Sequence, residues 1–130
     1  MAGKYLIDTN IAILFLNNKE FVVDKIMASD QVFICSIVAG ELLYGARKSA
    51  LAKKNLHKYE NFINSLSFLP VDIITANHYS LIKNQLRSKG TPIPENDIWI
   101  AAVALQHELM IATDDSHFNL VEGLHIKKWN

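Results

Sequence analysis

The chain predicts an α/β protein, a three-layer α/β/α sandwich around a central parallel sheet. Three observations carry that expectation. Short apolar runs such as Tyr5-Leu6-Ile7, Val32-Phe33-Ile34-Cys35 and Met110-Ile111-Ala112-Thr113 read as strands. Longer stretches with helical spacing separate them, and strands alternating with helices imply parallel pairing with helices on both faces. Acidic residues follow two of the strands, at Asp8 and Asp115, where open parallel sheets build their sites.

The first strand, residues 4–7, feeds a helix through Asp8-Thr9-Asn10, three good capping residues. Residues 11–16 and 21–27 read as two short helices broken by Asn17-Asn18. Residues 31–36 form the second strand, nearly all apolar as in a strand buried on both faces. Helices follow over 37–48 and 50–66; in the second, Leu56, Tyr59, Phe62, Ile63 and Leu66 recur at helical spacing. Residues 68–71 make a short strand that Pro70 keeps near an end or an edge. Residues 75–89 form a helix stopped by Gly90. Thr91-Pro92-Ile93-Pro94 is a stiff linker into the helix 97–105, where Ala101, Ala102 and Ala104 permit close packing on a sheet. Residues 110–113 and 124–127 are the last strands, and the chain shows no internal repeat or linker.

One domain spanning residues 1–130 is expected, large enough to bury a core without disulfides. Half the residues are apolar and mean hydropathy is +0.12, so some apolar surface is expected to be covered by a partner or a second copy. The helices 11–16 and 21–27 are candidates for a partner groove and a homodimer surface, with core packing as the alternative. No apolar run approaches the roughly 18 residues that span a bilayer, and Met1-Ala2-Gly3-Lys4 leads into a strand without a signal-peptide core. A cytoplasmic protein without membrane contact is expected. Cys35, the single cysteine, reads as a buried core thiol.

Four acids stand where the loops of such a fold meet: Asp8, Glu41, Asp97 and Asp115. Asp8 and Asp97 could each be helix caps, and Asp115 a turn residue in competition with Asp114. Glu41 resists a structural explanation best. Its helical neighbours Ile37, Val38, Tyr44 and Gly45 supply no cation, and a buried unpaired carboxylate costs several kcal/mol. Clustered carboxylates raise one another's pKa and persist when a cation sits among them. Oxygen ligands favour Mg²⁺ or Mn²⁺ over zinc. The five histidines show neither i, i+4 pairing nor a cysteine companion and read as surface or packing residues.

With 13 Lys and Arg against 13 Asp and Glu, setting aside these four acids leaves an excess of four positive charges, compatible with a polyanionic substrate. Arg47, Lys48, Lys53, Lys54 and Lys58 form one basic stretch, and Lys83, Arg87 and Lys89 another. Both read as solvated helix faces, with phosphate tracking as the alternative.

The segments Leu6-Ile7-Asp8-Thr9-Asn10, Ala39-Gly40-Glu41-Leu42-Leu43-Tyr44-Gly45, Asn96-Asp97-Ile98-Trp99-Ile100-Ala101-Ala102 and Thr113-Asp114-Asp115 resemble the motifs of PIN-domain proteins, in particular VapC toxins of bacterial toxin–antitoxin pairs. The resemblance spans nearly the whole chain. It implies a metal-dependent endoribonuclease acting on structured RNA, often tRNA, and silenced by a cognate VapB-type antitoxin. Asp8, Glu41 and Asp97 match the family's core acids. Asp115 matches a fourth position where many relatives carry Asn or place the acid nearby. Thr9, Asn10 and Thr113 fall where the family has supporting polar groups. On this reading Asp8 and Asp97 hold Mg²⁺ or Mn²⁺, and Glu41 and Asp115 act through water or complete a second site. Water activated by the ion attacks the phosphodiester in line, leaving a 5′-phosphate and a 3′-hydroxyl.

Other classes compete. A haloacid-dehalogenase phosphatase wants a second Asp where Asn10 stands, and a receiver domain needs a phospho-accepting Asp where the third strand offers at best Asp72. A DNA-directed nuclease on the same scaffold fits better, since carboxylates do not choose the sugar. A non-catalytic module whose acidic pocket receives a partner's arginine also fits.

Overall fold

The computed structural model describes residues 3–129; the reading of Met1 and Ala2 as the lead into the first strand lies outside them. Five strands alternate with six helices: β1 Lys4–Ile7, α1 Thr9–Leu16, α2 Glu20–Ala28, β2 Gln31–Cys35, α3 Ser36–Arg47, α4 Ala52–Ser65, β3 Ser67–Leu69, α5 Ile73–Ser88, α6 Glu95–Gln106, β4 Met110–Thr113 and β5 Ile126–Lys128. A 3-10 helix, Ser116–Leu120, joins the last two strands.

All four strand pairings are parallel, in the order β3-β2-β1-β4-β5. The helices flank this sheet as the α/β/α sandwich expected from the sequence. The chain reverses its direction of travel across the sheet at β1, whose neighbours are β2 and β4. Loops leaving the carboxyl ends of adjacent strands diverge there and open a crevice. The pairing of Ile7 with Ala112 sets Asp8 and Thr113 side by side at its floor.

The core is apolar and tightly closed. Leu6, Ile7, Ile34, Cys35, Ile111 and Ala112 from the three central strands are fully buried, as are Ile11, Val38 and the stretch Ala101–Ala104 from the helices. Burial holds the Cys35 thiol above its ordinary range, consistent with an inert core thiol. Trp129 meets Tyr5 edge-on at 5.2 Å, and its backbone N–H donates to the Thr113 carbonyl. The tail is thereby stitched to the strand that precedes Asp115.

Several boundaries move from their expected positions for identifiable reasons. α5 begins at Ile73 because Asp72 and Thr75 form a reciprocal capping box. α6 begins at Glu95 directly after Pro94, so Asp97 lies in its first turn rather than opening it. No helix among the described residues is long and apolar enough to cross a membrane. α1 and α2, candidates for partner surface with core packing as the alternative, bury Ile11, Ala12, Leu16, Val22 and Ile26 and expose Ile13, Phe21 and Met27. α5 exposes Ile73, Ile74 and Leu81, with Ile73 at 82%.

Candidate active site

Asp8 sits directly after β1 and is 4% exposed. Both of its oxygens are engaged. Oδ1 accepts the Ile11 N–H at 2.9 Å, capping α1, and Oδ2 accepts the Thr113 hydroxyl. The capping role and membership of the acidic group therefore coexist in one side chain. Burial pushes its pKa up to about 6, assisted by the charges of Asp114 and Asp115 and opposed by the two hydrogen bonds.

Thr113, itself buried, turns the end of β4 into a link between two acids: its Oγ1 donates to Asp8 and accepts the Asp115 N–H at 2.9 Å. Thr9 does a similar service for Glu41, donating to Oε1 at 2.6 Å across the gap between α1 and α3. Glu41 is half-buried and forms no ion pair with any Lys or Arg among the described residues. Asn10 is exposed, and its side chain makes no hydrogen bond among the described residues.

Asp97, in the first turn of α6, is also half-buried. Its carboxyl is held above the usual range by burial first and then by the charges of Asp115 and Glu41, with His117 opposing. No side-chain cap accounts for its position. Asp115 caps the 3-10 helix, its Oδ1 accepting the His117 N–H at 2.8 Å. Asp115 is half-buried and Asp114 exposed, although both charges reach Asp8.

Asp115 thus stands within electrostatic reach of both Asp8 and Asp97, and Glu41 of Asp97, linking the four acids along one rim. The one nitrogen-bearing side chain that meets them in an ion-pair contact among the described residues is a histidine. His117 Nδ1 lies 3.1 Å from Asp115 Oδ1 and 3.3 Å from Asp97 Oδ2. His117 is a surface residue, as expected of the histidines, but one that also faces two of the acids, a placement not anticipated from the sequence. The signal was local: Asp115 and His117 are two apart, the spacing of an Asx turn that folds position i+2 back over the carboxylate. Buried Phe118 then fixes the turn to the core.

The donor set suits a hard divalent cation. Asp97, Asp115 and His117 each offer one ligand atom within 4.8 Å of the others. The basic stretches are partly committed elsewhere: Lys83 pairs with Glu95, Lys89 with Glu122, and Lys58 donates to the Leu16 carbonyl.

A parallel sheet in this order with acids at its switch point defines a class, and comparison with known proteins agrees. Residues 5–124 match the PIN domain model, and the chain belongs to the PIN-domain family. It is 33% identical over 130 residues, covering 98% of each chain, to the tRNA(fMet)-specific endonuclease VapC of Shigella flexneri. It is 34% identical to the protein of the same name from Salmonella typhimurium, covering 97% of this chain and 98% of that one. Among solved structures, DNA-bound VapBC from Salmonella typhimurium superposes with a TM-score of 0.92 at 34% identity, covering 100% of both chains. VapBC-1 from nontypeable Haemophilus influenzae gives 0.88 at 26% identity, covering 97% of this chain and 98% of that one.

Proposed function

We propose that this chain is the endoribonuclease toxin of a VapBC-type pair, cleaving structured RNA of the tRNA class with the help of Mg²⁺ or Mn²⁺. The observation that carries the reading is the rim of Asp8, Glu41, Asp97 and Asp115, without a Lys or Arg partner among the described residues, in a chain matched end to end by VapC ribonucleases. The tRNA(fMet) endonuclease names of two relatives support a tRNA substrate. The VapBC complexes among the structural neighbours support a VapB-type partner. A homodimer belongs to the same proposal.

Asp8 and Asp97 would hold the ion, with Asp115 and Glu41 beside them. When bound, the ion supplies a lowered pKa for attacking water and neutralises charge growing on the phosphate. Thr113 fixes the Asp8 carboxylate and the Asp115 backbone together, and Thr9 orients Glu41. None of the acids needs to become a covalent nucleophile.

The test is cleavage mapping of total RNA and purified tRNA, with DNA in parallel, in Mg²⁺, Mn²⁺ and EDTA. RNA should be cut and DNA left intact, and EDTA should stop cleavage. Asp8→Ala and Asp97→Ala should each lose at least about 100-fold in rate. Full activity in both variants would reject the site; cleavage of DNA alone would reject the substrate class.

A further inference from the structure

The four carboxylates Asp8, Glu41, Asp97 and Asp115 offer only oxygen ligands, which do not distinguish Mn²⁺ from Mg²⁺. The structure adds a nitrogen. We propose that His117 is a ligand of the catalytic ion through Nδ1, making the site a mixed nitrogen and oxygen centre that prefers Mn²⁺ to Mg²⁺.

Around a six-coordinate ion with bonds of about 2.1 Å, neighbouring ligand atoms stand about 3.0 Å apart and opposite ones about 4.2 Å. His117 Nδ1 lies 3.1 Å from Asp115 Oδ1 and 3.3 Å from Asp97 Oδ2, and the ligand atoms of the trio all fall within 4.8 Å of one another. The two distances from Nδ1 are those of adjacent ligand positions around one ion, and the remaining pair is close enough to converge on it with a small adjustment. Three features hold the ring there. Asp115 Oδ1 accepts the His117 backbone N–H, Phe118 anchors the next residue in the core, and the Asp115 N–H is tied to Thr113. The contacts of the imidazole Nδ1 are with the two acids that would share the ion, and Nε2 makes no hydrogen bond among the described residues. Its 47% exposure leaves the ring room to adjust when an ion enters.

The consequence is selectivity. Mg²⁺ demands oxygen ligands and retains its waters, whereas first-row transition ions accept imidazole. Replacing one oxygen position by Nδ1 penalises Mg²⁺ and leaves Mn²⁺ well served.

This inference rests on the nuclease reading, and the experiment separates the two. The full-length protein is loaded with Mn²⁺ alone and examined by electron spin echo envelope modulation for a coordinated ¹⁴N. Mn²⁺ and Mg²⁺ affinities are measured by calorimetry for wild type, His117→Ala and Asp97→Asn. The wild-type signal should show an imidazole nitrogen that His117→Ala removes. His117→Ala should weaken Mn²⁺ about tenfold or more and Mg²⁺ less than about twofold. Mn²⁺ that binds, is lost in Asp97→Asn and yet shows no nitrogen would overturn the His117 assignment while leaving the acidic site standing. A nitrogen signal that survives in His117→Ala would overturn it equally. Wild-type protein that binds neither ion would remove the nuclease reading itself, and this inference with it.

Discussion

Asp8 carries the strongest electrostatic burden of the four acids, and its pH dependence follows from the sign of its shift. A carboxyl raised to about 6 binds its proton more tightly in the folded chain than in the unfolded one. The folded state is therefore penalised as pH rises through that value, and the penalty vanishes below the unfolded pKa near 3.8. Two pH units correspond to about 3 kcal/mol. Asp8→Asn retains a capping oxygen, so without metal it should be more stable than wild type by up to about 3 kcal/mol at pH 8. Urea unfolding in EDTA should show that gap closing toward pH 4, and a destabilised variant at pH 8 would make Asp8 purely a structural cap. Asp97→Asn should likewise leave the metal-free protein as stable or more so, because its carboxyl too is raised by burial and neighbouring charge. Thr113→Val acts differently. It strips a donor from Asp8 and an acceptor from the Asp115 N–H, at a cost of about 1–3 kcal/mol and about 10- to 100-fold in cleavage rate. Unchanged kinetics with lowered stability would reduce Thr113 to a packing residue.

α6 shows how local sequence becomes site geometry. Its alanines, 0% exposed at Ala101, Ala102 and Ala104, bring the helix backbone against the sheet, and its first turn then sets Asp97 over the crevice. Ala102→Leu should cost about 1–3 kcal/mol by overpacking, read as a lower denaturant midpoint; an unchanged midpoint would mean that the packing there is loose. This element was legible because alanine repetition and the preceding prolines leave few alternatives. The start of α5 was less legible: Asp72 and Thr75 satisfy each other across a capping box, and the β-branched pair Ile73-Ile74 obscured it. The 3-10 helix after β4 had no readable period, being five residues held by one Asx cap and buried Phe118. The exposed residues Ile74 and Leu81 on α5 suit a subunit contact within the proposed homodimer. Ile74→Asp combined with Leu81→Asp should shift the free protein to monomer in sedimentation velocity, whereas an intact dimer would place the interface elsewhere.

Across the whole molecule, parallel pairing converts four separated sequence positions into one rim. Asp8 and Asp115 follow adjacent strands, Glu41 comes from the helix after β2, and Asp97 from the helix before β4. That convergence was readable because strand order and acid spacing constrain each other. Asn10 shows the limit: sequence proximity to Asp8 did not bring its side chain to a partner among the described residues. His117 shows the opposite limit, since only a turn outside regular strands and α-helices aims it at the acids. Anomalous diffraction from a Mn²⁺-soaked crystal addresses the convergence most directly. A single peak within bonding distance of Asp97, with Asp8 bound directly or through one water, is the expected result. A saturated crystal with no density on this rim, or with the ion bound elsewhere, would contradict it.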